Sequence, residues 1–261
     1  MFIPLHDQNK LKSIRLQYVT LILIALNCVI WIISATPQFI DGSSANSIYY
    51  SYGFVPAVVN DLRSLPPEVV VLPESASYVS YAFFHVDFMH LAGNMLFLWV
   101  FGDNVEDATG HLKFLIFFIL CAIAGAIAHR LALPESEAPL IGASGAAAGV
   151  VGAYLVLHPK VKIWVLALGR IPLRLSAFWL LGAWIIFQVY SLIADTGSQV
   201  SFASHVGGFV AGVVLIVFLR KRGVALWDQD LDEKNAAEAV AETVPTDEQQ
   251  NPERWGRDAK Q

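Results

Sequence analysis

Residues 139–157 read PLIGASGAAAGVVGAYLVL, a run with no charged side chain. At 1.5 Å of helical rise per residue it is long enough to cross the roughly 30 Å of hydrocarbon in a bilayer. Five more runs of similar length and character lie around it, at about 16–35, 81–101, 114–132, 177–194 and 202–219. The chain is 56% hydrophobic and 15% charged over 261 residues, and this imbalance excludes an ordinary soluble domain. The first run is too long, and lacks a small-residue cleavage site behind it, to read as a signal peptide, so it is expected to be a retained helix. Cys28 and Cys121 both fall inside apolar runs, which leaves no disulfide framework or zinc knuckle.

An even number of spans puts both termini on one side, and basic residues mark that side as cytoplasmic. Every Lys and Arg except Arg63 and Arg130 falls at the N-terminus, in the inner loops or beyond the sixth run. The predicted organisation is a cytoplasmic segment 1–15, a six-helix domain 16–222 and a cytoplasmic tail 223–261. From Asp228 the tail carries ten acids and four bases with few bulky apolar residues, a composition that predicts disorder. The outer loop, about 36–78, is rich in proline and glycine, and its Tyr49, Tyr50, Tyr52 and Phe54 suit the lipid interface. Residues 163–169 are too few to span and are expected along the inner interface.

Ionisable and amide side chains are costly in hydrocarbon, so those inside runs are candidates for function. The second run holds His85, Asp87, His90 and Asn94; the fourth opens with Gly142-Ala143-Ser144-Gly145; the sixth carries Ser204-His205. With cytoplasmic termini these three runs all descend from the outer face, which places Ser144, His205 and the His90/Asn94 pair at one depth. A serine and a histidine at matched depth on adjacent helices can form the hydrogen bond that activates a hydroxyl nucleophile. Gly145, Gly149 and Ala153 on one run, and Ser204, Gly208 and Gly212 on the other, are four-residue stripes of small side chains that allow close approach of membrane helices.

His90 and Asn94 share a helical face and can donate to a developing oxyanion together with the Ser144 backbone N–H. On a continuous helix the His85 and His90 rings would point about 140° apart, which argues against a two-histidine metal site. His85 is therefore expected to be structural or to cap a loop. Asp87 and Asp195 lie nearer the surface than His205, so a Ser-His dyad is predicted rather than a triad.

The motifs His85-x4-His90-x3-Asn94, Gly142-Ala143-Ser144-Gly145, His205-Val206-Gly207-Gly208 and Gly102-x3-Glu106-x3-Gly110, in this order across six runs, resemble those of bacterial rhomboid proteases. The resemblance implies an all-α, polytopic six-transmembrane-helix bundle in the bacterial cytoplasmic membrane. It implies a serine endopeptidase in which Ser144 attacks and His205 acts as base, with His90, Asn94 and the Gly142 segment about the oxyanion. It implies no cofactor and no metal, and as partners single-pass transmembrane substrates cut near the outer end of their span. Two departures stand out: the family's aromatic four residues after the serine is Ala148 here, and its Trp-Arg pair in the outer loop is replaced by Ala76-Ser77. Two other classes stay open on sequence, a catalytically silent rhomboid-like protein that binds and guides membrane segments, and a channel or transporter with buried polar groups.

Overall fold

The computed structural model describes residues 2–7, 9–36, 45–167, 169–194 and 200–227, and among them the chain is mostly helical. A strand, β1 (Phe2–Asp7), precedes α1 (Tyr18–Ala35). The short helices α2 (Ala45–Tyr52), α3 (Pro56–Val59) and α4 (Ser77–Ser80) lead to α5 (Phe88–Thr109), α6 (His111–Ala132) and α7 (Ser144–Leu157). Strands β2 (Lys162–Ala167) and β3 (Ile171–Ser176) are followed by α8 (Ala177–Ile193) and α9 (Phe202–Leu219). By length and composition α1, α6 and α9 can each cross a membrane. A bent pair, Glu74–Phe83 with Phe88–Thr109 at 84° to it, adds a fourth if taken as one span.

Helices and predicted runs part company at two places. Within 81–101, Tyr81–Phe83 is a 3-10 turn and regular helix begins only at Phe88, where the Asp87 carboxylate accepts a hydrogen bond from His90 N at 2.9 Å. Within 139–157 only 14 residues are helical, because Gly142 adopts φ +118°, outside any helix, and Leu140 pairs its backbone with Phe54. Ser144 is thus the first residue of α7 rather than one turn inside it.

The all-α expectation also needs correction. β1, β2 and β3 form an antiparallel sheet in that order, and the segment expected along the inner interface is its central strand. Ile163 and Val165 are fully buried while Trp164 between them is 39% exposed, the alternation of a half-covered strand. The strand β1 that pairs with it comes from the far end of the sequence, a partner that local hydropathy does not reveal. Asp7 anchors it, its Oδ2 accepting from Tyr154 Oη at 2.6 Å and from Asn104 Nδ2 at 3.0 Å.

Two acids near the end of α5 hold α1 and the segment that leads into it. The N-cap of α1, Gln17, makes no side-chain capping bond. Instead, fully buried Glu106 accepts from Val19 N at 2.9 Å, Thr20 N at 2.8 Å and Thr20 Oγ1 at 2.7 Å, and its neighbour Asp107 accepts from Lys12, Ser13 and Ile14 N. Glu106 thus supplies acceptors for orphan N–H groups of the first turn of α1 and meets the positive end of its dipole, while Asp107 ties down the segment that precedes the helix. Gly102, one turn before Glu106, faces Thr20, and Gly110, at φ +85°, ends α5 so that α6 can start at once. The Gly102-Glu106-Gly110 spacing is therefore a packing and capping device joining α1, α5 and α6.

Helix α7 lies at the centre, where every residue except Ser144 and Leu155 is buried. Its small side chains permit this. A Cβ on Gly208 would stand 1.9 Å from the carbonyl oxygen of Gly145, and one on Gly212 would stand 1.9 Å from that of Gly149, so α7 and α9 touch backbone to backbone along both glycine stripes. Gly149 also faces the Cys121 thiol of α6.

Of the outer loop, residues 37–44 lie outside the described residues. The rest is folded onto the helices. Phe54 is fully buried, exchanges backbone hydrogen bonds with Leu140 at 3.0 and 2.8 Å, and sets its ring 4.7 Å from Tyr78. Tyr52 stacks on Phe84 at 4.6 Å, and Tyr49 Oη donates to Val86 O at 3.2 Å. The loop aromatics expected at the lipid interface thus knit the loop to the segment ahead of α5, although Tyr50 stays exposed. Arg130, one of the two basic residues expected on the outer side, bonds Asn60 Oδ1 at 2.5 Å and Tyr78 Oη at 2.8 Å.

Candidate active site

Three segments converge where α5, α7 and α9 begin. The first is the irregular stretch between Tyr81 and Asp87 with the opening turns of α5. The bend there brings His85 back beside the helix it precedes: its ring lies 5.1 Å from that of His90, edge to face, and its Nε2 is 3.0 Å from Asn94 Nδ2. Ala143 N also donates to His85 Nε2, at 3.4 Å. Two donors on one nitrogen require the lone pair to sit there. The expectation that His85 points away from His90 rested on a continuous helix, and the break at Phe88 overturns it. His85 supports Asn94 from behind while tying down the start of α7.

The second segment is 139–145. Gly142 N donates to Tyr81 O at 2.9 Å, and a Cβ at this position would come within 2.6 Å of the His90 ring and 3.5 Å of Asn94 Nδ2. Gly142, His90 and Asn94 therefore share one spot, and both the positive φ and the space demand glycine. Since its N–H is already engaged, Gly142 contributes shape rather than a free donor. Immediately after it α7 starts at half-buried Ser144 with no side-chain cap, which leaves the N–H groups of the first turn and the positive end of the helix dipole directed at this spot.

The third segment is the start of α9. Ser201 caps it, accepting from Ser204 N at 3.2 Å, and its Oγ also lies 2.7 Å from Nδ1 of buried His129. His129, near the end of α6, therefore belongs to this cap. Gly145 faces Ser204 so closely that a Cβ on it would meet Ser204 Oγ at 2.6 Å. Ser144 precedes one member of that contact and His205 follows the other. His205 is half-buried and is held by two residues of α8. Trp184 stacks on it at 6.1 Å and 27°, and Gln188 Oε1 lies 3.0 Å from its Nδ1. Neither residue was singled out on sequence. An amide inside an otherwise apolar run was the available signal for Gln188.

Asp87 is engaged in capping α5, and Asp195 lies outside the described residues. Among the described residues no group of three or more His, Cys, Asp or Glu side chains is arranged to hold a metal ion.

A family model described as the rhomboid domain matches residues 73–222. The chain belongs to the rhomboid family. Its apolar helices and this membership make it an integral membrane protein. Among curated relatives it is 32% identical over 154 residues to rhomboid protein 1, mitochondrial, of Saccharomyces cerevisiae, a match covering 56% of this chain and 42% of that protein. It is 30% identical over 170 residues to rhomboid-like protein 11, chloroplastic, of Arabidopsis thaliana, covering 61% and 58%. Identity to rhomboid protease GlpG of Klebsiella pneumoniae is 28% over 147 residues, covering 54% and 48%. The chain spans about half the length of the curated relatives it matches. All four motifs of the resemblance lie within the matched rhomboid domain.

Proposed function

We propose that this rhomboid is an intramembrane serine endopeptidase with a Ser144–His205 dyad. The observation that supports the reading is that Ser144 opens the uncapped α7 two residues after Gly142, which lies against His90 and Asn94, and that its neighbour Gly145 packs against Ser204, the residue before His205. In the proposed reaction Ser144 Oγ attacks the scissile carbonyl as His205 Nε2 takes its proton. His205 then returns that proton to the leaving amine, and water resolves the acyl-enzyme. The oxyanion is held by N–H groups of the first turn of α7, by the Asn94 amide and by His90, in a setting where fixed donors outperform water. The Klebsiella relative, named as a rhomboid protease, supports the same chemistry.

The proposed substrates are single-pass transmembrane proteins cut near the outer end of their span. A peptide bond inside a helix is hidden from attack, so a substrate has to unwind there before it reaches Ser144. The proposed topology has six spans with both termini in the cytoplasm of a bacterium, carried by the basic asymmetry, and an acidic tail over 223–261 on the same side.

Labelling with a fluorophosphonate probe tests the assignment. Wild type is expected to react, while Ser144→Ala does not and His205→Ala reacts at least about a hundredfold more slowly. Equal labelling of wild type and Ser144→Ala would remove the nucleophile.

A further inference from the structure

Helix α8 presents most of its surface outward: Ile186, Phe187 and Tyr190 are 70%, 57% and 66% exposed, whereas Gln188 among them is only 5% exposed. An amide is costly in such a place unless it is hydrogen-bonded, and among the described residues its partner is the imidazole of His205. Trp184, one turn earlier on the same face, stacks on that imidazole, and its indole is backed in turn by Phe97 of α5 at 6.2 Å. Position 148, one turn after Ser144 on α7, is a buried alanine with no ring to offer. The face and the Nδ1 edge of His205 are thus both met from α8.

These contacts bear on which nitrogen of the ring carries the proton. A neutral imidazole has one N–H and one lone pair, and the hydrogen bond made by one nitrogen decides the state of the other. Gln188 Oε1 can only accept, so it selects a proton on Nδ1 and leaves the lone pair on Nε2. That is the tautomer a general base for Ser144 needs. We propose that Gln188 and Trp184 are positioning residues that hold His205 as the Nδ1–H tautomer with its ring plane fixed. This takes the place of the carboxylate of a triad and of an aromatic side chain on α7. The role in catalysis rests on the Ser144–His205 reading, whereas the tautomer itself does not.

The test uses the full chain in detergent micelles. Gln188→Met keeps the size and removes the acceptor; Gln188→Glu keeps both size and acceptor. With a fluorophosphonate probe, Gln188→Met is expected to lower the maximal labelling rate about 10- to 100-fold with the half-saturating concentration changed less than about threefold. Gln188→Glu is expected to recover most of that loss. A role in packing alone predicts the reverse order, since Met is at ease in an apolar contact and Glu is not. Trp184→Phe is expected to keep most of the rate and Trp184→Ala to lose it. Nitrogen-15 spectra of labelled histidine, with the His205 signal identified by its loss in His205→Ala, should show a protonated Nδ1 in wild type and a shift toward Nε2–H in Gln188→Met.

A wild-type rate in Gln188→Met, a Glu variant worse than the Met variant, or an Nε2–H tautomer in wild type would each overturn the proposal. Should wild type fail to react with the probe at all, the protease reading falls, and the spectra still decide whether Gln188 sets the tautomer.

Discussion

Substituting alanine at Gly208 adds one methyl group at the closest approach of α7 and α9. Its Cβ would lie 1.9 Å from the Gly145 carbonyl oxygen and 2.7 Å from the carbonyl carbon. Carbon and carbonyl oxygen ordinarily meet at about 3.3 Å, so the helices have to part by about 1.4 Å, and backbone on both sides leaves no side chain to yield instead. Overpacking of this kind costs about 1–3 kcal/mol, against which the better helix propensity of alanine returns about 1 kcal/mol. The net expected loss of stability is about 0–2 kcal/mol relative to wild type, and about 1–3 kcal/mol relative to a glycine-to-alanine control that meets no neighbour. Catalysis should suffer more. The parting opens beside Ser144 and His205, and a misplacement of about 1 Å between reacting groups costs about a hundredfold in rate. Gly212→Ala makes the same collision with Gly149, about 6 Å further along the helix, and should lose similar stability but less activity. Gly182→Ala on α8 meets nothing within 4 Å and serves as the control. Equilibrium unfolding in mixed micelles and the fluorophosphonate labelling rate, measured on all three, give both quantities. A Gly208→Ala protein as stable and as reactive as the Gly182→Ala control would refute the backbone contact and the placement of His205 that depends on it.

Glu106→Ala should destabilise the chain by about 3 kcal/mol or more, because it strips acceptors from two backbone N–H groups and a threonine hydroxyl at the start of α1. The labelling rate of the protein that remains folded should change less than about threefold, since sixteen residues of helix, about 24 Å, separate Glu106 from His90. Burial pushes the Asp7 carboxyl above the ordinary carboxylate range, partly opposed by the hydrogen bond from Tyr154. The native state therefore holds this proton more tightly than the unfolded chain. The contribution is fully present below the unfolded carboxylate value, near 4, and is lost as pH rises through the raised native one. Stability of wild type relative to Asp7→Asn, followed by unfolding across pH, should fall over that window; a flat difference would show that Asp7 does not titrate differently on folding.

Hydropathy alone placed this chain in a membrane, because burying long charge-free runs is a local requirement that each run states for itself. Glycines at four-residue spacing were legible for the same reason, as were the serine, histidine and asparagine that no lipid-facing helix would carry without cause. Other features were settled only by tertiary contact. Strand β1 finds β2 across most of the sequence, and a strand that acquires its partner from so far away leaves no periodic trace. His85 joined Asn94 because the chain breaks before Phe88, so the angle expected from an unbroken helix did not apply. The His205 ring, with only an alanine at position 148 of α7, is met by Trp184 and Gln188 of α8. Which helix turns which face toward His205 depends on rotation and packing of whole elements, quantities that composition and spacing within one run do not contain.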